Sequence, residues 1–284
     1  MASSSSSSLS LLAHITYHDS NSSNLGSQQA LKTSGTWRRF CYDVVMRQLD
    51  EMETAYSAFA KIDVIFDVNA GHGFLGELRA WPSTRPTGVA SRVSIRVDVH
   101  ERQKLSHPFQ LAWMHRASMA AKLELYDWFM TAEADTFVPA RALAAQVALA
   151  STLYDKHQML LGFVRLCNDT QARSFYSDIT KPAPRKLAKE LPGIGTIVPP
   201  QNTYAAVWAY PRSIMRGFMK SEDWDFRSGR AMRERAAWGW RHYPGKIVTL
   251  VDDPSLRIYH VGKSGPYLVR VRGHNTLPAS QLVA

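Results

Sequence analysis

The segment Lys61-Ile-Asp-Val-Ile-Phe-Asp-Val68 limits the fold more than any other stretch of this chain. Its apolar residues run almost without interruption, the mark of a strand buried on both faces, and such strands belong to parallel sheets covered by helices. Ahead of it, Trp37, Phe40, Cys41, Val44, Val45, Met52, Tyr56 and Phe59 recur at steps of three and four behind Thr36, a helix N-cap residue. That spacing predicts an amphipathic helix of about six turns. Residues 9–17 read as a strand that ends in polar side chains, so strand, helix and strand make one βαβ unit.

The alternation continues. Residues 91–99 read as a third strand, 107–125 as a second long helix and 127–133 as a fourth strand. Beyond a helix at 139–156, strands are expected at 159–166, 174–179, 203–210, 246–251 and 257–261, with helices near 211–220 and 229–242. The first half predicts a doubly wound α/β sheet, and the second half is mixed and partly antiparallel. No linker or internal repeat divides the 284 residues. The expectation is therefore one domain over residues 9–265, a disordered Ser-rich tail over 1–8 and a C-terminal tail over 266–284.

Composition narrows the function classes. The chain is 45% apolar with eight tryptophans, as a globular protein is, and 34 basic against 24 acidic residues give +10. That charge suits nucleic acid, an anionic membrane surface or phosphorylated ligands. The basic residues are scattered except in Lys181-Pro-Ala-Pro-Arg-Lys-Leu-Ala-Lys189, which reads as a solvated, proline-stiffened loop, and no aromatic-interleaved pattern accompanies them. No specific nucleic-acid partner is expected. Cys41 and Cys167 lack zinc or redox spacing and read as buried thiols of a reducing compartment. No stretch approaches the roughly 18 apolar residues of a membrane span, and Met1-Ala-Ser-Ser-Ser-Ser-Ser-Ser8 lacks the basic start of a secretory signal, so a cytoplasmic location is expected.

One motif misleads. Gly71-His-Gly-Phe-Leu-Gly76 follows a strand and has Asp98 about 20 residues on, as a dinucleotide fingerprint does. The fingerprint requires its third glycine to open a crossover helix, and Glu77-Leu-Arg-Ala-Trp-Pro-Ser-Thr-Arg-Pro-Thr-Gly88 holds two prolines that exclude one. An irregular turn is the expectation there.

Tyr126-Asp-Trp-Phe-Met-Thr-Ala-Glu-Ala-Asp135 carries more chemistry. On an extended backbone Glu133 and Asp135 point the same way, and two carboxylates at the carboxyl end of a strand seat a hard divalent cation with positions left for phosphate oxygens. The plain alternative is a pair of turn or helix-cap acids, with residues 136–139 opening the next helix. Ligands of open α/β sheets lie beyond the carboxyl edge, which nominates Thr16, Tyr17, Asp67 and Asn69 for a base or ribose. Each also suits a turn.

The order of elements up to the acid-ended strand resembles the nucleotide-binding half of GT-A-fold glycosyltransferases. So do Trp113-Met-His-Arg116 on the preceding helix, the segment Tyr126 to Pro139, Arg233-Glu-Arg-Ala-Ala-Trp-Gly-Trp240 and Ile258-Tyr-His260. The similarity covers residues 9–261. It implies a single GT-A-like, Rossmann-like α/β domain with a mixed central sheet flanked by helices. It also implies a metal-dependent transferase that moves a hexosyl or related group from a nucleoside-diphosphate sugar to a glycan, protein or small-molecule acceptor. Asp135 and His260 would then ligate the metal, with Glu133 acting directly or through water. A mixed carboxylate and imidazole set suits Mn2+ at least as well as Mg2+. Arg116 would bind the diphosphate, and Glu234 would deprotonate or hold the acceptor hydroxyl. The triplet departs from the family pattern at its centre, where Ala134 replaces an aspartate. This leaves a metal-independent variant, a catalytically inactive nucleotide or glycan binder and a basic nucleic-acid-binding protein as alternatives.

Overall fold

The computed structural model describes residues 8–17, 35–69, 74–81, 90–101, 104–106, 108–168, 174–176, 187–199, 206–225, 235–236, 246–250 and 253–260. In chain order the elements are β1 (Leu9–Tyr17), α1 (Gly35–Ala55), β2 (Phe59–Val68), α2 (Phe74–Ala80), β3 (Val93–Val99), α3 (His115–Ala121), β4 (Trp128–Glu133) and β5 (Thr136–Phe137). There follow α4 (Ala140–His157), β6 (Met159–Leu161), β7 (Val164–Asn168), β8 (Ser174–Tyr176), β9 (Lys189–Leu191) and β10 (Gly195–Val198). The last are β11 (Val207–Pro211), α5 (Arg212–Phe218), β12 (Lys246–Leu250) and β13 (Arg257–His260).

The central sheet runs β3-β2-β1-β4-β11, its first four strands parallel and β11 antiparallel to β4. The expected α/β domain with a mixed central sheet flanked by helices is thus what the chain forms. In β1, Leu11 and Leu12 point to opposite faces and both are fully buried, as a strand covered on both sides requires. One face joins Leu11, Ala13, Ile15, Val64, Phe66 and Met130 to the inner stripe of α1, where Cys41, Val45, Leu49 and Met52 recur at helical spacing. The other joins Leu12, Ile65 and Phe129 to Met119 of α3 and to Ile214, Met215 and Phe218 of α5. Each such fully buried side chain stabilises the fold by roughly 1.5–3 kcal/mol relative to exposure.

Two small sheets complete the described residues, β6-β12-β10-β9 and β5-β13-β7-β8. The single strand expected over 159–166 is in fact β6 and β7, one in each small sheet. Gly162 makes the break, because its N–H donates to the Val248 carbonyl at 2.7 Å and a Cβ there would stand 2.7 Å from Ile247 Cγ2. Residues 136–137, expected to open a helix, form β5, and α4 begins at Ala140 with Pro139 in the N-cap position. The basic loop ends earlier than expected, since Lys189 already starts β9. The periodicity through Phe59 also outruns its helix: α1 stops at Ala55, and Tyr56 and Phe59 are buried beyond it.

The long helix expected over 107–125 is three pieces. A 3-10 turn at Pro108–Trp113 and another at Leu123–Leu125 flank the two-turn α3. Contacts from Met114 N–H to Leu111 and from Leu125 N–H to Lys122 mark the tighter winding, which brings Leu111, Trp113, His115, Arg116 and Met119 all inward. The glycine motif does contain a helix, contrary to expectation, because α2 starts inside it and ends ahead of Pro82. Gly76 lies within α2 and is exposed, and nothing stands within 4 Å of where its Cβ would be. It therefore makes neither the turn nor the close packing that the fingerprint needs. Among the described residues no helix is long and apolar enough to cross a membrane.

Candidate active site

The Glu133-Ala134-Asp135 triplet leaves the carboxyl end of β4 and is held from both sides. Ala134 N–H donates to the Thr16 carbonyl at 3.0 Å, and Glu133 N–H donates to the Ala206 carbonyl at 3.1 Å. Ala206 has a φ of 57°, a left-handed conformation that costs a non-glycine residue roughly 1–2 kcal/mol. That strain lies directly beside the acid pair. In the turn after β4, Ala134 packs into the main core, where it is 5% exposed. A carboxylate at that position would face apolar side chains, which is a physical reason for the alanine.

His260 comes to the triplet through the ladder between β13 and β5, which pairs His260 with Thr136 and so sets it beside Asp135. Its Nε2 lies 3.2 Å from Asp135 Oδ2. The other carboxylate oxygen accepts from Thr136 Oγ1 at 3.3 Å. On the same side stands Arg165, placed on β7 opposite Ile258 of β13. Its Nη2 is 3.9 Å from Asp135 Oδ1 and 4.0 Å from Glu133 Oε2. Sequence reasoning passed over Arg165, although a charged residue inside the apolar run Val164-Arg-Leu was the available signal.

Asp135 and His260 offer one oxygen and one nitrogen ligand, fewer than a closed structural metal site needs and compatible with a site that keeps positions for phosphate oxygens. Among the described residues no group of three His, Cys, Asp or Glu side chains gathers closely enough to hold an ion alone. The donor set fits a metal that shares its coordination with a diphosphate.

The residues nominated for nucleoside and diphosphate are more enclosed than strand ends suggest. Thr16 is partly exposed, whereas Tyr17 at 2% lies within the core cluster and presents no face for stacking on a base. Asn69 is buried as well. Asp67 receives His14 Nδ1 on one oxygen at 2.7 Å and His100 Nε2 on the other at 2.8 Å. Burial pushes the Asp67 carboxyl up, but its hydrogen bonds with His100 and His14 outweigh this and hold it at about 2. Its carboxylate is thus engaged inside the protein. His14 and His115, fully buried and missed by sequence reasoning, continue this polar seam towards Trp208, with ring centroids 6.2 Å and then 5.5 Å apart.

Arg116 is likewise internal. It donates to the carbonyls of Asp223 and Trp224 and, at 3.4 Å, to those of Arg235 and Ala236, with its guanidinium 3.9 Å over the Trp113 ring. Burial lowers its pKa to about 9 against the pull of Asp223 and Asp225. The side chain read as a diphosphate ligand ties α3 to the segment after α5. Glu234 falls outside the described residues, and its neighbour Arg235 is exposed while Ala236 is buried.

No protein-family model matches the chain, and no curated protein matches it in sequence at a significant level. Solved structures resemble it. GalNAc-T7, crystallised with UDP, GalNAc and Mn2+, is 14% identical over 89% of this chain and 43% of its own, with a TM-score of 0.44. TarS of S. aureus is 10% identical over 89% of this chain and 37% of its own, with a TM-score of 0.43. The mannosyltransferase PcManGT from Pyrobaculum calidifontis, in complex with GDP-Man and Mn2+, is 12% identical over 93% and 60%, with a TM-score of 0.47. The chain spans between 37% and 60% of the length of these three structures. In this chain the parallel core β3-β2-β1-β4, edged by antiparallel β11, carries the acidic triplet at the carboxyl end of β4.

Proposed function

We infer that the chain is a metal-assisted glycosyltransferase, moving a hexosyl or related group from a nucleoside-diphosphate sugar to a hydroxyl acceptor. The observation that carries this reading is the approach of His260 to Asp135 at the carboxyl end of β4, across 125 residues of sequence. Asp135 and His260 would hold the ion, and Glu133, which like Asp135 approaches Arg165, would contribute directly or through water. When bound, a divalent ion such as Mn2+ neutralises charge on the departing diphosphate as a Lewis acid. Thr16 borders the site where β1 meets the triplet, and the nucleoside lies along that edge. Glu234 takes the proton of the acceptor hydroxyl or holds the hydroxyl in line.

A catalytically inactive binder of nucleotides or glycans is the second reading, favoured by the guanidinium of Arg165 already standing between the two acids. The experiment is a thermal-shift titration with UDP or GDP, with and without Mn2+, on the parent and on Asp135→Asn. The variant is nearly isosteric and lacks the charge that holds the ion. Mn2+-dependent stabilisation should disappear in the variant while its Tm without ligand stays close to that of the parent. Equal metal-dependent shifts in both proteins would remove Asp135 from the site. Turnover of a nucleotide sugar by the parent then separates enzyme from binder.

A further inference from the structure

Arg165 is an odd neighbour for a cation site. Its side chain is 3% exposed, and it sits on a strand flanked by β13 on one side and β8 on the other. The guanidinium is therefore held inside the protein rather than spread in solvent as an exposed arginine would be. It faces Glu133 and Asp135 at once, at 4.0 Å and 3.9 Å, while His260 approaches the second oxygen of Asp135 at 3.2 Å. The acid pair thus has a permanent cation of its own. This places a guanidinium, a positively charged group at neutral pH, within reach of any ion that shares those carboxylates.

Two consequences follow from electrostatics. Without metal, Arg165 offsets the repulsion between two carboxylates two residues apart and keeps both turned to one side. With metal, the same guanidinium repels the ion across a shared ligand and weakens its hold on the protein alone. A diphosphate reverses the balance, because its negative charge attracts the ion and Arg165 together. Resting on the reading of Asp135 and His260 as metal ligands, we propose that Arg165 is a positioning residue that makes retention of a divalent ion conditional on a nucleoside diphosphate. The ion and the nucleotide then bind as a pair, and the metal-free site stays assembled between turnovers.

The test is Mn2+ affinity, measured by electron paramagnetic resonance on the parent, Arg165→Met and Arg165→Lys, each with Mn2+ alone and with Mn2+ plus saturating UDP or GDP. Methionine fills the buried stem's volume without charge, and lysine keeps the charge on a shorter reach. The parent should bind Mn2+ alone at least about tenfold more weakly than with nucleotide. Arg165→Met should bind Mn2+ alone at least about tenfold more tightly than the parent, narrowing that gap, and Arg165→Lys should fall between. Unchanged or weaker binding of Mn2+ alone by a folded Arg165→Met overturns the inference while leaving the metal reading intact. If Arg165→Met does not fold, Arg165→Lys decides, and an affinity no higher than the parent's overturns it. Failure of every protein to bind Mn2+, even with nucleotide, overturns the metal reading and the inference with it. Binding of Mn2+ alone by Arg165→Met where the parent binds it only with nucleotide supports the inference, and a parent that binds no Mn2+ even with nucleotide overturns it.

Discussion

At single residues, the turn that follows β4 sets the surroundings of the acid pair. Glu133 ends the strand and Asp135 stands in the turn, both approaching Arg165, while Ala134 between them packs into the core, so a carboxylate at its position would meet apolar side chains. His260 is the residue on which the site depends most, since it alone supplies nitrogen to the proposed ion. His260→Ala should lower Mn2+ affinity in the presence of a nucleoside diphosphate by about tenfold or more and Mg2+ affinity by less, because imidazole is the softer donor. Competition titrations with the two metals measure the ratio. Equal losses for both metals would assign His260 to holding Asp135 through their 3.2 Å contact instead. The same scale shows what a sequence hides: Asp67 and Arg116 have the chemistry of ligand residues, and each is bound by the protein itself.

Among the elements, α1 holds the start of α4 through Glu51, whose Oε1 accepts from Ala140 N–H at 2.7 Å, and through the buried amide of Gln48. Gln48 Oε1 accepts from Val138 N–H at 2.7 Å, and Gln48 Nε2 donates to Tyr56 OH at 2.8 Å. Tyr56 OH in turn donates to the Val138 carbonyl at 2.8 Å, and burial raises its pKa far above the phenol range, so it remains a donor. Gln48→Leu keeps the volume and orphans the Val138 N–H, which should cost about 1–3 kcal/mol, read as a lower urea midpoint at unchanged m-value. An unchanged midpoint would show that the amide plays no part in holding the turn after β5. That turn follows directly on β5, where Thr136 pairs with His260 to build the site, so the same variant should also weaken Mn2+ binding. Propensity reads α1 well because its inner face repeats regularly through Cys41, Val45, Leu49 and Met52. It fails over 107–125, where Pro108 opens a 3-10 turn and α3 is only 7 residues long. Inward faces there are set by the neighbours at β1 and β11, not by an intrinsic period.

Across the whole molecule, buried polar groups tie stability to pH. Asp67 titrates at about 2 in the folded chain against about 3.9 unfolded. His115 is pushed well below the histidine range by burial and by Arg116 and His14, with Asp67 and the Ala112 carbonyl acting the other way. Both pKa values are depressed on folding, so at low pH the unfolded chain binds more protons and stability rises with pH. The His115 contribution is complete above about 6.5 and is lost as pH falls below that; the Asp67 contribution is complete above about 4 and is lost towards 2. His115→Leu should therefore flatten the stability curve just below pH 6.5 by up to about 1.4 kcal/mol per pH unit, measured by urea unfolding at a series of pH values. Parallel curves would show that His115 takes up its proton in the folded state. What the sequence determined by itself was local and periodic: the strands β1, β2 and β4, the helices α1 and α4, and the acids at the carboxyl end of β4. These follow from apolar spacing along contiguous residues, which needs no partner to be read. Only the tertiary structure decided the split at Gly162, the enclosure of Asp67 and Arg116, and the placement of Arg165 against the acid pair. Each depends on which distant backbone lies alongside, and long-range pairing is fixed by packing rather than by any local pattern of residues.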